Sequence, residues 1–179
     1  MVEKEYSGEG YNLIITSPTT YSISCLRVVE ELSQKGRTLY VSVNRPFIFL
    51  KEHFNEKLKD IVFIDCISRI ISDIGELKTL TQEFSSPCFF VKSPENLTDI
   101  SVVIFEAIQQ EKIDYVFFDS LSTLLLYNEV KSVAKFAHFL VGKLRLKKTH
   151  STFVVVENPE EKGFISQVVQ FFDNVFEFF

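Results

Sequence analysis

No stretch of this chain approaches the roughly 18 consecutive apolar residues that a membrane-spanning helix needs. Its opening, MVEKEYSGEG, has no apolar run behind a basic start, so neither membrane insertion nor export is expected. Cysteine is scarce: Cys25, Cys66 and Cys88 are widely spaced beside Leu26, Ile67 and Phe89. An odd, scattered set gives no disulfide framework and reads as reduced core thiols of a cytoplasmic protein. Basic charge is also short, with 19 Lys and Arg against 24 Asp and Glu for a net charge of -5. That balance opposes a phosphate backbone, and beyond Lys143, Arg145, Lys147 and Lys148 there is no basic stripe, so nucleic-acid binding is not expected. His53, His138 and His150 lack Cys or carboxylate partners at metal-ligand spacing, and no G-x-S-x-G elbow occurs. These histidines read as surface or boundary residues, and neither a metal nor a cofactor is expected.

What the chain does have is apolar mass. Its 179 residues are 46% hydrophobic, enough for a single domain over 1–179 to bury a core, with residues 1–10 expected to be flexible. There is no Trp, but there are 19 Phe, several in doublets such as Phe89-Phe90, Phe117-Phe118, Phe171-Phe172 and Phe178-Phe179. Doublets suit strands buried on both faces, and the ones near the C-terminus also suit an apolar docking patch.

Strand-like runs and helix-like periodicities alternate along the sequence. Asn12–Thr16 is a strand, ended by the turn and capping chemistry of Ser17-Pro18-Thr19-Thr20. From Thr20 to Lys35, Ile23, Leu26, Val29 and Leu32 recur every three residues until Gly36 stops the pattern, which predicts an amphipathic helix. Strands are predicted at Arg37–Val43, Ile61–Asp65, Ile113–Asp119, Thr152–Val156 and Asn174–Phe179. Helices are predicted at Pro46–Phe54, from a Thr98 cap through Glu111, over Asn128–Lys148 and over Glu160–Phe172. Val130, Val133, Phe136 or Ala137, Leu140 and Leu144 mark the inner stripe of the Asn128–Lys148 helix, and the cations at its end suit a helix C-terminus. Between residues 66 and 97 only a short helix near Gly75–Thr81 and a short strand at Cys88–Val91 are predicted. This order implies an α/β fold: a three-layer, mostly parallel sheet with helices on both faces. Ligands of such sheets bind at the carboxyl ends of the strands, which selects residues 16–23, 43–47, 119–123 and 157–162.

The run Tyr115-Val116-Phe117-Phe118-Asp119-Ser120-Leu121-Ser122 resembles the Walker B strand of the KaiC/RecA-like P-loop ATPases. The order of elements around it, ending in FFDNVFEFF, is similar to that family over roughly residues 10–179. The resemblance implies a RecA/KaiC-like P-loop NTPase fold and a first loop reading GxxxxGK[ST]. Glycines there let backbone amides approach phosphate, Lys neutralises charge and the hydroxyl meets Mg²⁺. The corresponding residues are Thr16-Ser17-Pro18-Thr19-Thr20-Tyr21-Ser22-Ile23: Thr16 and Tyr21 stand at the glycine positions, Ser22 at the Lys and Ile23 at the hydroxyl. Shifting by one residue supplies no lysine either, and Pro18 removes an amide donor. The family's catalytic glutamates follow its second strand, where this chain has Val43-Asn44-Arg45-Pro46.

The expectation is a catalytically inactive KaiC/RecA-like domain, not an enzyme, acting as a protein-interaction or regulatory module, monomeric or dimeric, with a partner protein or itself. The alternative is a nucleotide- or small-anion-binding protein, at most a weak NTPase, using Ser17, Thr19, Thr20, Ser22, Arg45, Asp119 and Ser120. Against that alternative, Asp119 and Ser120 also suit a turn after a buried strand, and the hydroxyls suit ordinary capping.

Overall fold

The protein, described here from a computed structural model covering residues 5–54, 60–71 and 86–178, is built on seven strands. They are β1 (Tyr11–Thr16), β2 (Thr38–Ser42), β3 (Ile61–Asp65), β4 (Cys88–Phe90), β5 (Tyr115–Asp119), β6 (His150–Val156) and β7 (Asn174–Phe178). Their order across the sheet is β4-β3-β2-β5-β6-β1-β7, and every pairing is parallel. The sheet is thus wholly rather than mostly parallel. Parallel strands are buried on both faces, so the near-continuous apolar runs of β2, β3 and β5, in which every residue is buried, are what such a sheet requires.

Two layers of helix cover it. On one face lie α1 (Tyr21–Lys35) and α2 (Phe47–Phe54), where Cys25, Val28, Leu32 and Leu50 meet Tyr40, Phe63 and Phe117. On the other lie α4 (Leu97–Glu111), α5 (Leu121–Leu124), α6 (Val130–Lys147) and α7 (Lys162–Val168), where Ile100, Ile104, Phe136 and Leu140 meet Val41, Phe118 and Phe153. Phe117 and Phe118 are each fully buried, one per face, which accounts for that doublet as core filling.

Several elements differ from the sequence expectation. Val29 and Leu32 of the expected stripe are fully buried, but Ile23 is 57% exposed, and Tyr21, Ser24, Cys25 and Val28 complete the buried face of α1. A three-residue step falls about 60° short of a full helical circuit, so a stripe spaced by three drifts off the core. Val130 is likewise exposed on α6. Asn96, not Thr98, caps α4, its side chain accepting from the Asp99 amide at 3.1 Å. The Glu160–Phe172 helix is interrupted: 3₁₀ turns at Pro159–Glu161 and Val169–Phe171 flank the shorter α7, as tightening at helix ends commonly does. Two four-residue helices, α3 (Ser68–Ile71) and α5, are too short for periodicity to register. The helix expected near Gly75–Thr81 lies outside the described residues.

Among the described residues before β1, Tyr6 lies against the body of the domain. Its ring meets Phe176 and Phe178 edge-on at 5.2 and 6.3 Å, and its hydroxyl pairs with Thr152 Oγ1 at 2.7 Å. Cys25 and Cys66 are buried as expected; Cys88 is only partly so. His150, at the start of β6, accepts from the Gly10 amide at 2.9 Å and stacks on Tyr115, a boundary role. No helix among the described residues is long and apolar enough to cross a membrane.

Candidate functional site

The connections leaving β1 and β2 run over one face of the sheet and those leaving β5 and β6 over the other, so the carboxyl ends of β2 and β5 flank a point where the winding reverses. Such a point leaves a crevice that neighbouring helices do not fill. Asp119 closes β5 there, opposite Ser42 at the end of β2.

Asp119 is almost completely buried, and its carboxylate is fully engaged. The Tyr21 hydroxyl donates to Oδ1 and the Tyr40 hydroxyl to Oδ2. Tyr40 lies opposite Phe117, two residues before Asp119 on the same face of β5, so the period of two places the phenol beneath the carboxylate. Tyr21 reaches in from the first turn of α1 and also accepts from Asn44 Nδ2 at 3.0 Å. Burial pushes the Asp119 carboxyl above the usual range, while the two phenol donors and the Arg45 charge pull it back. Both phenols are raised, first by burial and then by the neighbouring Asp119 charge, so their protons stay in place as donors. Cys25 is raised for the same reasons, which leaves a neutral thiol beside the cluster.

Tyr40→Phe deletes one of the two donors that satisfy a buried carboxylate. Loss of about 1–3 kcal/mol of stability is expected in denaturant titration, with Tyr21→Phe losing less because Tyr21 lies nearer the surface.

The other candidate residues divide into three groups. Ser17, Thr19 and Thr20 bond mainly to one another: Ser17 Oγ pairs with Thr19 Oγ1 at 2.9 Å and Thr20 Oγ1 at 2.8 Å, and Thr20 Oγ1 also reaches Thr16 Oγ1 at 3.0 Å and donates to the Phe178 carbonyl at 3.1 Å. Ser22 meets the Arg45 guanidinium, which also lies over the Tyr21 ring at 5.6 Å. Ser120 turns away from Asp119 and caps α5, accepting from the Thr123 amide at 3.2 Å. Ser22, Arg45 and Asp119 are therefore brought around Tyr21, whereas Ser120 is a helix cap.

The loop after β1 is short. Only Ser17, Pro18, Thr19 and Thr20 lie between β1 and α1. The amides of Thr20 and Tyr21 both point at the Ser17 carbonyl, at 3.3 and 3.0 Å, and the Ser24 amide at the Thr20 carbonyl, at 2.9 Å. Two amides of the turn, those of Thr20 and Tyr21, are thus engaged within it.

Sequence reasoning missed Tyr40, Asn44 and Asp65. Asp65, at the end of β3 and fully buried, accepts from the amides of Phe47 (2.6 Å), Ile67 (2.8 Å) and Ser68 (2.8 Å) and from the Ser68 hydroxyl (2.5 Å). It ties the starts of α2 and α3 to the sheet edge. The only signal for it was an apolar strand ending in Asp, the same signal that singled out Asp119. Among the described residues no group of three or more His, Cys, Asp or Glu is placed to hold a metal ion.

This architecture is shared with a solved structure. A KaiC-like protein of the hyperthermophilic archaeon Pyrococcus horikoshii OT3 matches with a TM-score of 0.62 at 12% sequence identity, over 94% of this chain and 70% of that one. The chain has a KaiC-like, RecA-type P-loop NTPase fold. No family model matches it, and no curated protein does.

Proposed function

We propose that this chain is a KaiC/RecA-like domain without nucleotide hydrolysis, retained as a protein-interaction or regulatory module. The observation that carries the reading is the turn after β1. A triphosphate cradle needs free amides pointing inward and an ammonium group above them. Here the Thr20 and Tyr21 amides are directed to the Ser17 carbonyl, and residues 16–24 contain no lysine. MgATP does not fit these residues for a second reason: the Asp119 oxygens, which the resemblance would offer to metal-bound water, are covered by the Tyr21 and Tyr40 hydroxyls. Asn44 and Arg45 supply no carboxylate to orient an attacking water.

The contact surfaces of the module are the closed-turn edge and β7. Among the described residues that strand lies at the edge of the sheet beside β1, with Val175 exposed and Phe178 beside a cavity of about 570 Å³ lined also by Tyr6, Ile23 and Arg27. An extended segment added to that edge is the mode the geometry favours, as monomer-to-dimer pairing or partner capture.

Phosphate release with MgATP is expected to stay at the buffer rate, and light scattering after size exclusion to find a monomer or dimer. Val175→Lys, at the exposed edge, is expected to abolish strand-mediated association without unfolding the domain. Sustained turnover overturns the inactive reading; association unaffected by Val175→Lys overturns the role of β7.

A further inference from the structure

The chain is acidic overall, yet α6 carries no Asp or Glu from Val130 to Lys147 and ends on Lys148. Lys131, Lys135, Lys143 and Lys147 all lie on its exposed side. Arg145 is already paired with Asp173, at 2.7 and 3.1 Å, so the lysines are the charge this face offers.

The same side presents apolar bulk that the fold does not bury. Leu146 is 80% exposed and Phe139 47%. The Phe139 ring meets Phe105 of α4 edge-on at 6.4 Å, with Lys143 over Phe139 at 5.8 Å and Lys147 over Phe105 at 5.9 Å. Lysine stems and aromatic rings together form a continuous ridge along the α4–α6 seam.

Between Phe139 and Leu146 stands Gly142. A Cβ there would meet nothing within 4 Å, so neither packing nor a positive φ requires glycine. A glycine inside an exposed helix costs about 1 kcal/mol relative to alanine. Gly142 lines a cavity of about 390 Å³ together with His138, Val141, Arg145, Gln170 and Phe171.

We infer that the outer face of α6 docks an acidic amphipathic helix of a partner protein, the partner's apolar side chain entering the cavity at Gly142 while its carboxylates face Lys135, Lys143 and Lys147. Charge complementarity selects an acidic partner. The cavity at Gly142 selects a packed protein segment over a lipid or nucleic-acid surface, neither of which needs a side-chain-sized recess. The inference deepens the interaction-module reading and rests on it.

The test uses the full chain and a labelled probe peptide of about 20 residues, with Leu at helical a and d positions and Glu on the flanks. Fluorescence anisotropy at about 150 mM salt is expected to give saturable binding that weakens as salt rises. Gly142→Leu, which obstructs the cavity and is expected to leave the fold intact by circular dichroism, is expected to weaken binding about tenfold or more. Lys143→Glu gives the same direction through charge, and a Gln-for-Glu peptide is expected not to bind. The inference is overturned if the peptide fails to bind, if both variants bind as the parent does, or if phosphatidylserine vesicles or single-stranded DNA bind more tightly than the peptide. None of these outcomes alters the phosphate-release result, so failure of the docking face and failure of the inactive-module reading are separately visible.

Discussion

Asp65→Ala is expected to destabilise the domain by about 3–5 kcal/mol, read as a lowered denaturant midpoint with unchanged slope. The carboxylate is fully buried and accepts from the amides of Phe47, Ile67 and Ser68 and from the Ser68 hydroxyl. Each of these donors was desolvated on folding, and alanine returns no acceptor. Asp65→Asn should recover part of the loss, because one oxygen still accepts while the new NH₂ group faces donors. An Asp65→Ala protein as stable as the parent would mean that water replaces the carboxylate at no cost, and that the tie between β3 and the starts of α2 and α3 is not structural.

Asp119→Ala is expected to cost about 2–4 kcal/mol, since it strands the buried Tyr40 hydroxyl and removes the acceptor of Tyr21. Asp119→Asn should cost far less, because its oxygen accepts from one phenol and its NH₂ donates to the oxygen of the other. The two variants also separate charge from hydrogen bonding through pH. Burial raises the Asp119 carboxyl above its ordinary value, so the folded state holds that proton more tightly than the unfolded chain does. The stability this supplies is fully present below the unfolded value of about 4 and is lost as pH rises through the raised folded value. Relative to Asp119→Asn, the parent protein should therefore lose stability as pH climbs out of the acid range. Chemical denaturation of both proteins at several pH values reads the difference directly; a parent advantage that grows with pH would show that the phenols and Arg45 outweigh burial.

Much of this architecture was legible in residue patterns. The apolar runs at Ile61–Asp65 and Ile113–Asp119 read as buried strands, and the alternation with amphipathic helices implied a mostly parallel, three-layer arrangement; the sheet is in fact parallel throughout. Asp119 was legible too, as the polar end of an apolar strand. Its partners were not. Tyr40 sits inside a strand and reads as core; only the register of β2 against β5, set by long-range pairing, puts its hydroxyl under the carboxylate. Tyr21, which the resemblance places at a glycine position, donates a hydrogen bond to the acid. Ile23 misled because a spacing of three resembles a stripe over one turn and departs from it over four. Helix α5 escaped notice because four residues carry no period, although Ser120 and Thr123 form its cap.

On the proposed reading the crevice keeps the fold and lacks the groups that would hold a nucleotide. There the amides of Thr20 and Tyr21 are directed to the Ser17 carbonyl, and two phenols cover the Asp119 oxygens, at the positions where the resemblance would put phosphate and metal. Arg45 and Ser22 are the residues that keep the anion-binding alternative open, since a guanidinium beside a hydroxyl is a competent anion contact.

Isothermal titration of the full chain with ATP and Mg²⁺, followed by ADP, addresses this most directly. No saturable heat is expected up to millimolar nucleotide, for the parent and for Arg45→Ala alike. Saturable binding in the micromolar range that Arg45→Ala abolishes would contradict the closed-turn account and establish the crevice as a working nucleotide site.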